Sequence, residues 1–238
     1  RVLLRTTPAG QGDLRGFVPV RLELLGDGSI AIGEGVAVIP TALTWASKLV
    51  TGFTARHPNV SFTVLSRAST EILSLLDDLE IDVGITYLDN EPLGRVTSRP
   101  LYQESYTLIC RPDHPFAQGG AIGWDALGAA RLCLLTPDMQ NRRIINRHFM
   151  EAGIGPAALI ESNSTVVLVA NVLHGDWVTI LPDDLARFLC EGKPLAVVPL
   201  RSEGAAPAVG VIAPHQEPYT PVLQALLDEA EGLTRPSA

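Results

Sequence analysis

The sequence predicts an α/β protein made of two βα lobes with a ligand cleft between them. Between residues 29 and 86, strand and helix signals alternate as β-α-β-α-β, the order that builds a parallel sheet with covering helices. Between residues 106 and 213, a second succession of strands and helices repeats this logic with different sequence. No long linker separates the halves, so we expect a crevice where their strand ends and helix starts meet.

The first strand and helix are marked by alternation and by prolines. Residues 29–33 alternate small and apolar side chains, which is typical of a short strand. Pro40 suits the first turn of a helix whose apolar residues keep helical spacing as far as Phe53. Pro58 ends this helix, because the residue before a proline avoids helical backbone angles.

A second strand, helix and strand follow directly. Residues 60–64 have period two and predict a strand. Ser69 or Thr70 then caps a helix, in which apolar residues from Ile72 onward are spaced i, i+3, i+4 and i+7. Residues 82–86 form the next strand, which completes the alternation of the first half.

Helix starts and stops also organise the second half. Residues 136–138 open a helix that Gly153 closes, and Ser164 or Thr165 caps another. Pro221 lies in the first turn of a final helix. Strand patterns occupy residues 106–111, 132–135, 159–160, 177–181, 195–200 and 209–213.

Composition and charge bound the class of protein. A hydrophobic content of 46% with 18% charged residues excludes a disordered chain of 238 residues. Its 26 acidic and 18 basic residues give a net charge of −8, which disfavours DNA binding by this chain alone, since phosphate contacts need clustered lysine and arginine. The longest uncharged stretch, residues 162–175, is shorter than the roughly 20 residues that cross a membrane.

The cysteines point to a reducing compartment. Cys110, Cys133 and Cys190 are odd in number and widely spaced, without a CxxC pair. This pattern predicts reduced thiols in a cytoplasmic protein rather than a disulfide framework.

Common nucleotide-binding and catalytic motifs are missing from the sequence. Gly28 and Gly33 have P-loop spacing, but Glu34 occupies the lysine position and would repel phosphate. There is no GxSxG nucleophile elbow and no HExxH motif, and the five histidines lie far apart. We therefore expect no enzyme activity, no cofactor and no metal site.

Polar helix starts are the remaining candidate site. They follow strands in both halves, at Ser69 and Thr70, at Thr136 and Asp138, and around Asn163. Each alone is explained as an ordinary helix cap. Together, their hydroxyl groups and free backbone N–H groups favour a cleft that binds a small anionic molecule.

Several segments also follow one another in a familiar order and spacing. They occupy residues 28–33, 40, 57–60, 68–73, 79–85 and 100–115. This series resembles the effector-binding domain of LysR-type transcriptional regulators over about residues 28–215, and the final helix fits it as well. The ordered series is far more specific than any single segment.

The resemblance implies a periplasmic-binding-protein-like fold of type II, with two α/β lobes joined by two crossover strands. Lobe one would comprise residues 28–100 and 205–238, and lobe two residues 101–204. Residues 1–27 would be an irregular segment that keeps a remnant of the wing and, at residues 22–25, of the linker helix of the family's N-terminal domain.

The resemblance also implies a function. The chain would be the ligand-sensing and oligomerisation domain of a cytoplasmic regulator that forms a dimer or tetramer, without catalysis or membrane contact. Its effector would be a small organic anion, and DNA would be bound only through the family's N-terminal helix-turn-helix domain, which is missing from this chain. The alternative is a solute-binding protein of a transport system with the same fold.

Carried over by position, the family's effector contacts fall on the polar helix starts and on one strand end. They are Ser69, Thr70, Tyr87, Thr136, Asp138 and Asn163. Many members also place a hydroxyl residue just after the first strand, where this sequence has Glu34. A carboxylate there would disfavour an acidic ligand, or would select one that carries a cation or a hydroxyl group.

Overall fold

The structure of the chain, a computed structural model, describes residues 21–24, 30–89, 92–155, 157–202, 204–215 and 218–234, and at 21–24 and 30–35 the backbone alone. The strands are β1 (Arg21–Leu24), β2 (Ile30–Val38), β3 (Val60–Ser66), β4 (Val83–Tyr87), β5 (Val96–Gln103), β6 (Tyr106–Cys110), β7 (Ile122–Gly123), β8 (Leu132–Leu135), β9 (Ala158–Ser162), β10 (Thr179–Pro182), β11 (Ala196–Arg201) and β12 (Ala208–Pro214). The helices are α1 (Leu43–Arg56), α2 (Ser69–Asp77), α3 (Gln140–Glu151), α4 (Thr165–His174), α5 (Asp183–Cys190) and α6 (Pro221–Thr234). Within the described ranges, no helix combines the length and the apolar run that a membrane span requires.

The first lobe is built on a six-stranded sheet. Its order is β1-β2-β4-β12-β5, with β3 also paired to β2. β3 and β4 run parallel to β2, and α1 and α2 connect these three strands, so the predicted β-α-β-α-β unit is confirmed. The apolar helix positions read from the sequence, among them Phe53 and Ile72, are buried in the same core as Val36 and Ile85 of the sheet.

The second lobe contains a four-stranded sheet and a parallel strand pair. The sheet has the order β10-β6-β11-β7, in which β6 is antiparallel to both of its neighbours. The pair is β8 with β9. β8, β9 and β10 are each followed by a helix, namely α3, α4 and α5.

Two short connections join the lobes. The chain leaves the first sheet at the end of β5, passes through Glu104 and Ser105, and enters the second sheet at β6. It returns between β11 and β12, where the Pro207 carbonyl oxygen accepts a 2.8 Å hydrogen bond from the Glu104 N–H. The two crossovers therefore lie side by side. The lobe limits expected at residues 100 and 205 stay predictions, although β5 continues past the first of them.

The segment expected to end a linker helix is a strand instead. The prediction of helix at residues 22–25 is wrong for its described part, because Arg21–Leu24 forms β1. β1 pairs antiparallel with β2, from Arg21 opposite Gly33 to Leu24 opposite Ile30. Pairing with β2 satisfies backbone groups that a helix would satisfy internally. The rest of the segment expected to be irregular, including the expected wing remnant, lies outside the described residues.

Two shifts in element limits matter for the site. β2 continues to Val38, well past residue 33, because its second half pairs with both β3 and β4. α3 begins at Gln140 rather than at residues 136–138, which form a turn closed by the Met139 N–H and the Thr136 carbonyl oxygen. β5 and α5 are additional elements that the sequence patterns did not predict.

The pairing of β12 with β5 leads to a stability prediction at Gly210. The register shifts beside this residue, and a Cβ built on it would overlap the backbone carbonyl of Arg99. Because overpacking of this kind costs about 1–3 kcal/mol, Gly210→Ala should lower the free energy of unfolding by that amount in chemical denaturation. Gly119→Ala is the matched control, since its Cβ would meet none of the described atoms within 4 Å. Equal stability of the two variants would contradict the predicted overlap.

Candidate functional site

The candidate site is a small cavity where the two lobes meet. The carboxyl ends of β2, β3 and β4 in the first lobe point toward it. The 3₁₀ turn Pro40–Ala42 and the helix α2 of the same lobe begin at the cavity, and so does α3 of the second lobe. Its volume is about 10 Å³, room for about one water-sized molecule. Its lining residues are Ile39, Pro40, Thr41, Ala68, Ser69, Tyr87, Met139, Gln140 and Asn141.

Four lining side chains bury an oxygen atom without a hydrogen-bond partner among the described residues. Burial of such an atom costs about 1–3 kcal/mol, and most buried polar atoms in native proteins have a partner. Four such atoms at one cavity make it a place where a bound molecule can supply the missing hydrogen-bond partners. We call these atoms the orphan oxygens; they are Thr41 Oγ1, Ser69 Oγ, Gln140 Oε1 and Asn141 Oδ1.

Beside the cavity, a buried carboxylate holds three tyrosines together. Glu104 follows β5 directly and is only 2% exposed. The Tyr106 hydroxyl donates to its Oε2 at 3.0 Å, and the Tyr87 hydroxyl donates to the same oxygen. The Tyr102 hydroxyl donates to Oε1 at 3.2 Å. These three donors, from β4, β5 and β6, replace the water that the carboxylate loses on burial.

Burial dominates the protonation of this cluster. Loss of solvation raises the pKa of Glu104 to about 7, although the hydrogen bonds from the three tyrosines act in the opposite direction. Loss of solvation is also the main reason why the pKa of Tyr87 and that of Tyr106 lie well above the ordinary tyrosine value, and the negative charge of Glu104 acts in the same direction. The tyrosines therefore keep their protons and serve as donors.

Asn141 connects this cluster to the cavity. Its side-chain nitrogen Nδ2 lies 3.4 Å from the hydroxyl oxygen of Tyr87 and 3.4 Å from that of Tyr106. Tyr87 itself lines the cavity. A continuous set of hydrogen bonds thus runs from the crossover, through the tyrosines, to the first turn of α3.

A second contact joins the lobes beside the crossovers. The indole Nε1 of Trp45 in α1 donates to Asp184 Oδ2 in α5 at 2.8 Å. The Trp45 ring stacks on Tyr102 with ring centroids 4.7 Å apart. Because α1 and α5 belong to different lobes, this contact helps to fix the distance between them.

The buried cation of α3 is committed to structure rather than to the cavity. Arg142 donates to the Leu135 carbonyl oxygen at 2.6 Å, to Glu161 Oε1 at 2.8 Å and to Asn146 Oδ1 at 2.9 Å. These bonds tie α3 to β8 and β9. Among the nine described lining residues there is no lysine, arginine, aspartate or glutamate.

The structure brings some of the site residues inferred from the sequence together and separates others. Ser69 and Tyr87 line the cavity, whereas Thr70 is exposed and points away from it. The reason is helical phase, because Ser69 and Thr70 are successive residues of α2 and face directions about 100° apart. Asp138 and Asn163 are also exposed and outside the lining.

Thr136, the sixth inferred residue, lies near the site without lining it. Its Oγ1 is buried and has no hydrogen-bond partner within the described part of the chain. The Thr136 backbone N–H donates to the Ser162 carbonyl oxygen at 3.2 Å, so the residue belongs to the turn between β8 and α3. Thr136 is not among the residues that line the cavity.

Sequence reasoning missed Thr41, Gln140, Asn141 and Glu104. Thr41 could have been found, because it follows Pro40, which marks the first turn after β2. Since β2 ends at Val38, the first hydroxyl residue after this strand is Thr41 rather than a residue near Glu34. Glu34 lies inside β2, and its side chain is outside the described atoms.

Comparison with known proteins relates the chain to LysR-type transcriptional regulators. A family model described as LysR substrate binding domain matches residues 35–234. The HTH-type transcriptional regulator CfxR of Cupriavidus necator is 28% identical over 154 residues, which cover 65% of this chain and 47% of that regulator. The chain spans about half the length of the regulators that it matches.

Two solved structures share the fold. The effector binding domain of QuiR in complex with shikimate has a TM-score of 0.72 and 19% identity, covering 85% of this chain and 96% of that one. The regulatory domain of Synechocystis CcmR in complex with 2-PG has a TM-score of 0.74 and 18% identity, covering 85% and 97%. The fold is therefore the two-lobe, periplasmic-binding-protein-like fold of type II.

The buried carboxylate predicts a specific pH dependence of stability. Below the ordinary glutamate pKa of 4.5 the folded and unfolded chains both hold the proton on Glu104. Between pH 4.5 and about 7, Glu104 is ionised only in the unfolded chain, so the free energy of unfolding falls as the pH rises. The total loss is about 3 kcal/mol and is complete above pH 7. Glu104→Gln should abolish this loss, as measured by the melting temperature from pH 4 to 9.

The control for this pH profile is an exposed glutamate. Glu80→Gln removes a solvent-facing carboxylate next to the end of α2. Its melting profile should run parallel to that of the unmodified chain. A Glu104→Gln profile that also runs parallel would contradict the raised pKa of Glu104.

Proposed function

The chain belongs to the LysR substrate-binding domain family, and we propose that it is the ligand-sensing and oligomerisation domain of a LysR-type transcriptional regulator. The observation that carries this proposal is the group of four orphan oxygens, to which both lobes contribute. A ligand that completes them would bridge the lobes. The similarity to regulators supports this function over a solute-binding role in transport.

The effector is a small organic anion. α2 and α3 begin at the cavity, so the partial positive charge and free N–H groups of their first turns face it. The hydroxyl groups of Thr41 and Ser69 can donate to a carboxylate as well. None of the nine described lining residues is acidic, and the neighbouring Glu104 carboxylate accepts hydrogen bonds from the lining residue Tyr87 and from Tyr106.

Binding is coupled to the arrangement of the lobes. A cavity of about 10 Å³ is too small for a metabolite, so Thr41 and Ser69 must move apart from Gln140 and Asn141 to admit one. The paired crossovers at Glu104 and Pro207 provide the hinge. The effector shifts the equilibrium between arrangements by the difference in its affinity for them.

In the whole regulator, this shift would change the placement of the DNA-binding domains. DNA is contacted by a helix-turn-helix domain outside these 238 residues, and the effector domain acts by binding rather than by catalysis. The regulator works in the cytoplasm as a dimer or tetramer, whose geometry the lobes control.

Substitutions of the orphan hydroxyls test this site. Small organic acids are first screened by thermal shift with the unmodified chain, since a ligand of the folded state raises its melting temperature. Ser69→Ala and Thr41→Val should each weaken binding of the most stabilising acid by about three- to tenfold, the worth of one hydrogen bond. Calorimetric titration measures the dissociation constants.

Ser74→Ala provides the matched control, because Ser74 lies on the same helix but is exposed. This variant should bind the acid like the unmodified chain. Unchanged affinity in both Ser69→Ala and Thr41→Val would contradict the assigned site. Failure of every acid to stabilise the unmodified chain would count against an acidic effector.

A further inference from the structure

We propose that the effector is a hydroxylated organic acid, whose hydroxyl groups donate to the amide oxygens of Gln140 and Asn141. The assignment rests on the proposed function, since it concerns the same cavity. It adds the chemistry of the part of the ligand that faces the second lobe. That part must differ from a bare carboxylate, because the two amide oxygens that face it can only accept hydrogen bonds.

The four orphan oxygens fall into two chemical classes. The hydroxyl groups of Thr41 and Ser69 can donate or accept, so they suit a carboxylate. The amide oxygens Gln140 Oε1 and Asn141 Oδ1 can only accept, and a carboxylate against them would bring like partial charges together. Gln140 and Asn141 are 5% and 2% exposed, so bulk water does not supply the missing donors.

The orientation of the Asn141 amide is set by the carboxylate at the crossover. The hydroxyl groups of Tyr87 and Tyr106 both donate to Glu104, so each offers only a lone pair to a further partner. The Asn141 group that faces them must therefore be the donor, which is the Nδ2 amide nitrogen. Its oxygen is left for the cavity and cannot exchange places with the nitrogen without breaking both bonds.

Neutral donors fit this environment better than an ammonium group. None of the nine described lining residues is an aspartate or a glutamate that could balance a buried positive charge. Burying an unpaired charge costs far more than burying a hydroxyl group that finds an acceptor. A hydroxyl group can also accept in turn from Ser69 or Thr41, which a cation cannot do.

Pairs of acids that differ only in hydroxyl groups test the assignment. They are glycerate against propionate, and malate and tartrate against succinate. Dissociation constants are measured by calorimetry at pH 8, where Glu104 accepts from its tyrosines. In the unmodified chain, at least one hydroxylated acid should bind at least about tenfold more tightly than its partner, the effect of one well-made hydrogen bond.

Variants of the two amides should remove this preference. Asn141→Leu and Gln140→Met keep the side-chain volume and lose the acceptor, so the affinity ratio should fall to about three or less in each. Asn163→Leu makes the same change at an exposed position outside the lining and should keep the full preference. Gln140→Met should melt within a few degrees of the unmodified chain, because it removes a buried oxygen that lacks a partner among the described residues. Asn141→Leu also loses the two 3.4 Å contacts of Nδ2 with Tyr87 and Tyr106, so it should melt at a lower temperature and is tested below that temperature.

The outcomes separate the assignment from the proposed function. Equal binding within each acid pair overturns the hydroxyl assignment and leaves an acid-binding domain. A preference that survives both Asn141→Leu and Gln140→Met in folded protein also overturns it. Binding by none of the five acids overturns the assignment too, while the broader metabolite screen decides the function independently.

Discussion

The burial of the Glu104 carboxylate is the constraint on which the arrangement of the lobes depends. A charge taken out of water at the crossover must be met by hydrogen-bond donors in fixed positions. The tyrosines that meet it come from both sheets, because Tyr87 and Tyr102 belong to the first and Tyr106 to the second. The crossover is thus the place where hydrogen bonds from both sheets meet on one carboxylate.

The same constraint explains why the neighbouring cavity is unsatisfied. Because the hydroxyl groups of Tyr87 and Tyr106 donate their hydrogen bonds to Glu104, Asn141 donates from its nitrogen to the tyrosines and its oxygen faces the cavity. Together with Thr41, Ser69 and Gln140, Asn141 forms a group of unpartnered oxygens that costs stability in the lobe arrangement described here. Binding sites commonly trade stability for recognition in this way. A structural role alone would have favoured apolar side chains at these positions.

Local patterns predicted much of the fold but only part of the site. Hydrophobic periodicity, caps and prolines are properties of short segments, so the alternation of the first lobe was readable. A polar helix start marks where a site can lie, yet only the exact first residue decides whether Ser69 or Thr70 faces inward. Thr41 was not predicted as a site residue, because the end of β2 is set by its pairing with two other strands. Glu104 was not predicted because its burial is set by the tertiary fold: Tyr102 and Tyr106 are only two residues away along the chain, but Tyr87 reaches the carboxylate from another strand.

The bond between Trp45 and Asp184 gives the molecule a natural optical reporter. The indole belongs to α1 and its carboxylate partner to α5, so a separation of the lobes replaces that partner with water. Trp124 and Trp177 both belong to the second lobe, and their surroundings stay the same when it moves as a body. Intrinsic fluorescence therefore follows opening through one chromophore, without any dye or label attached to the protein.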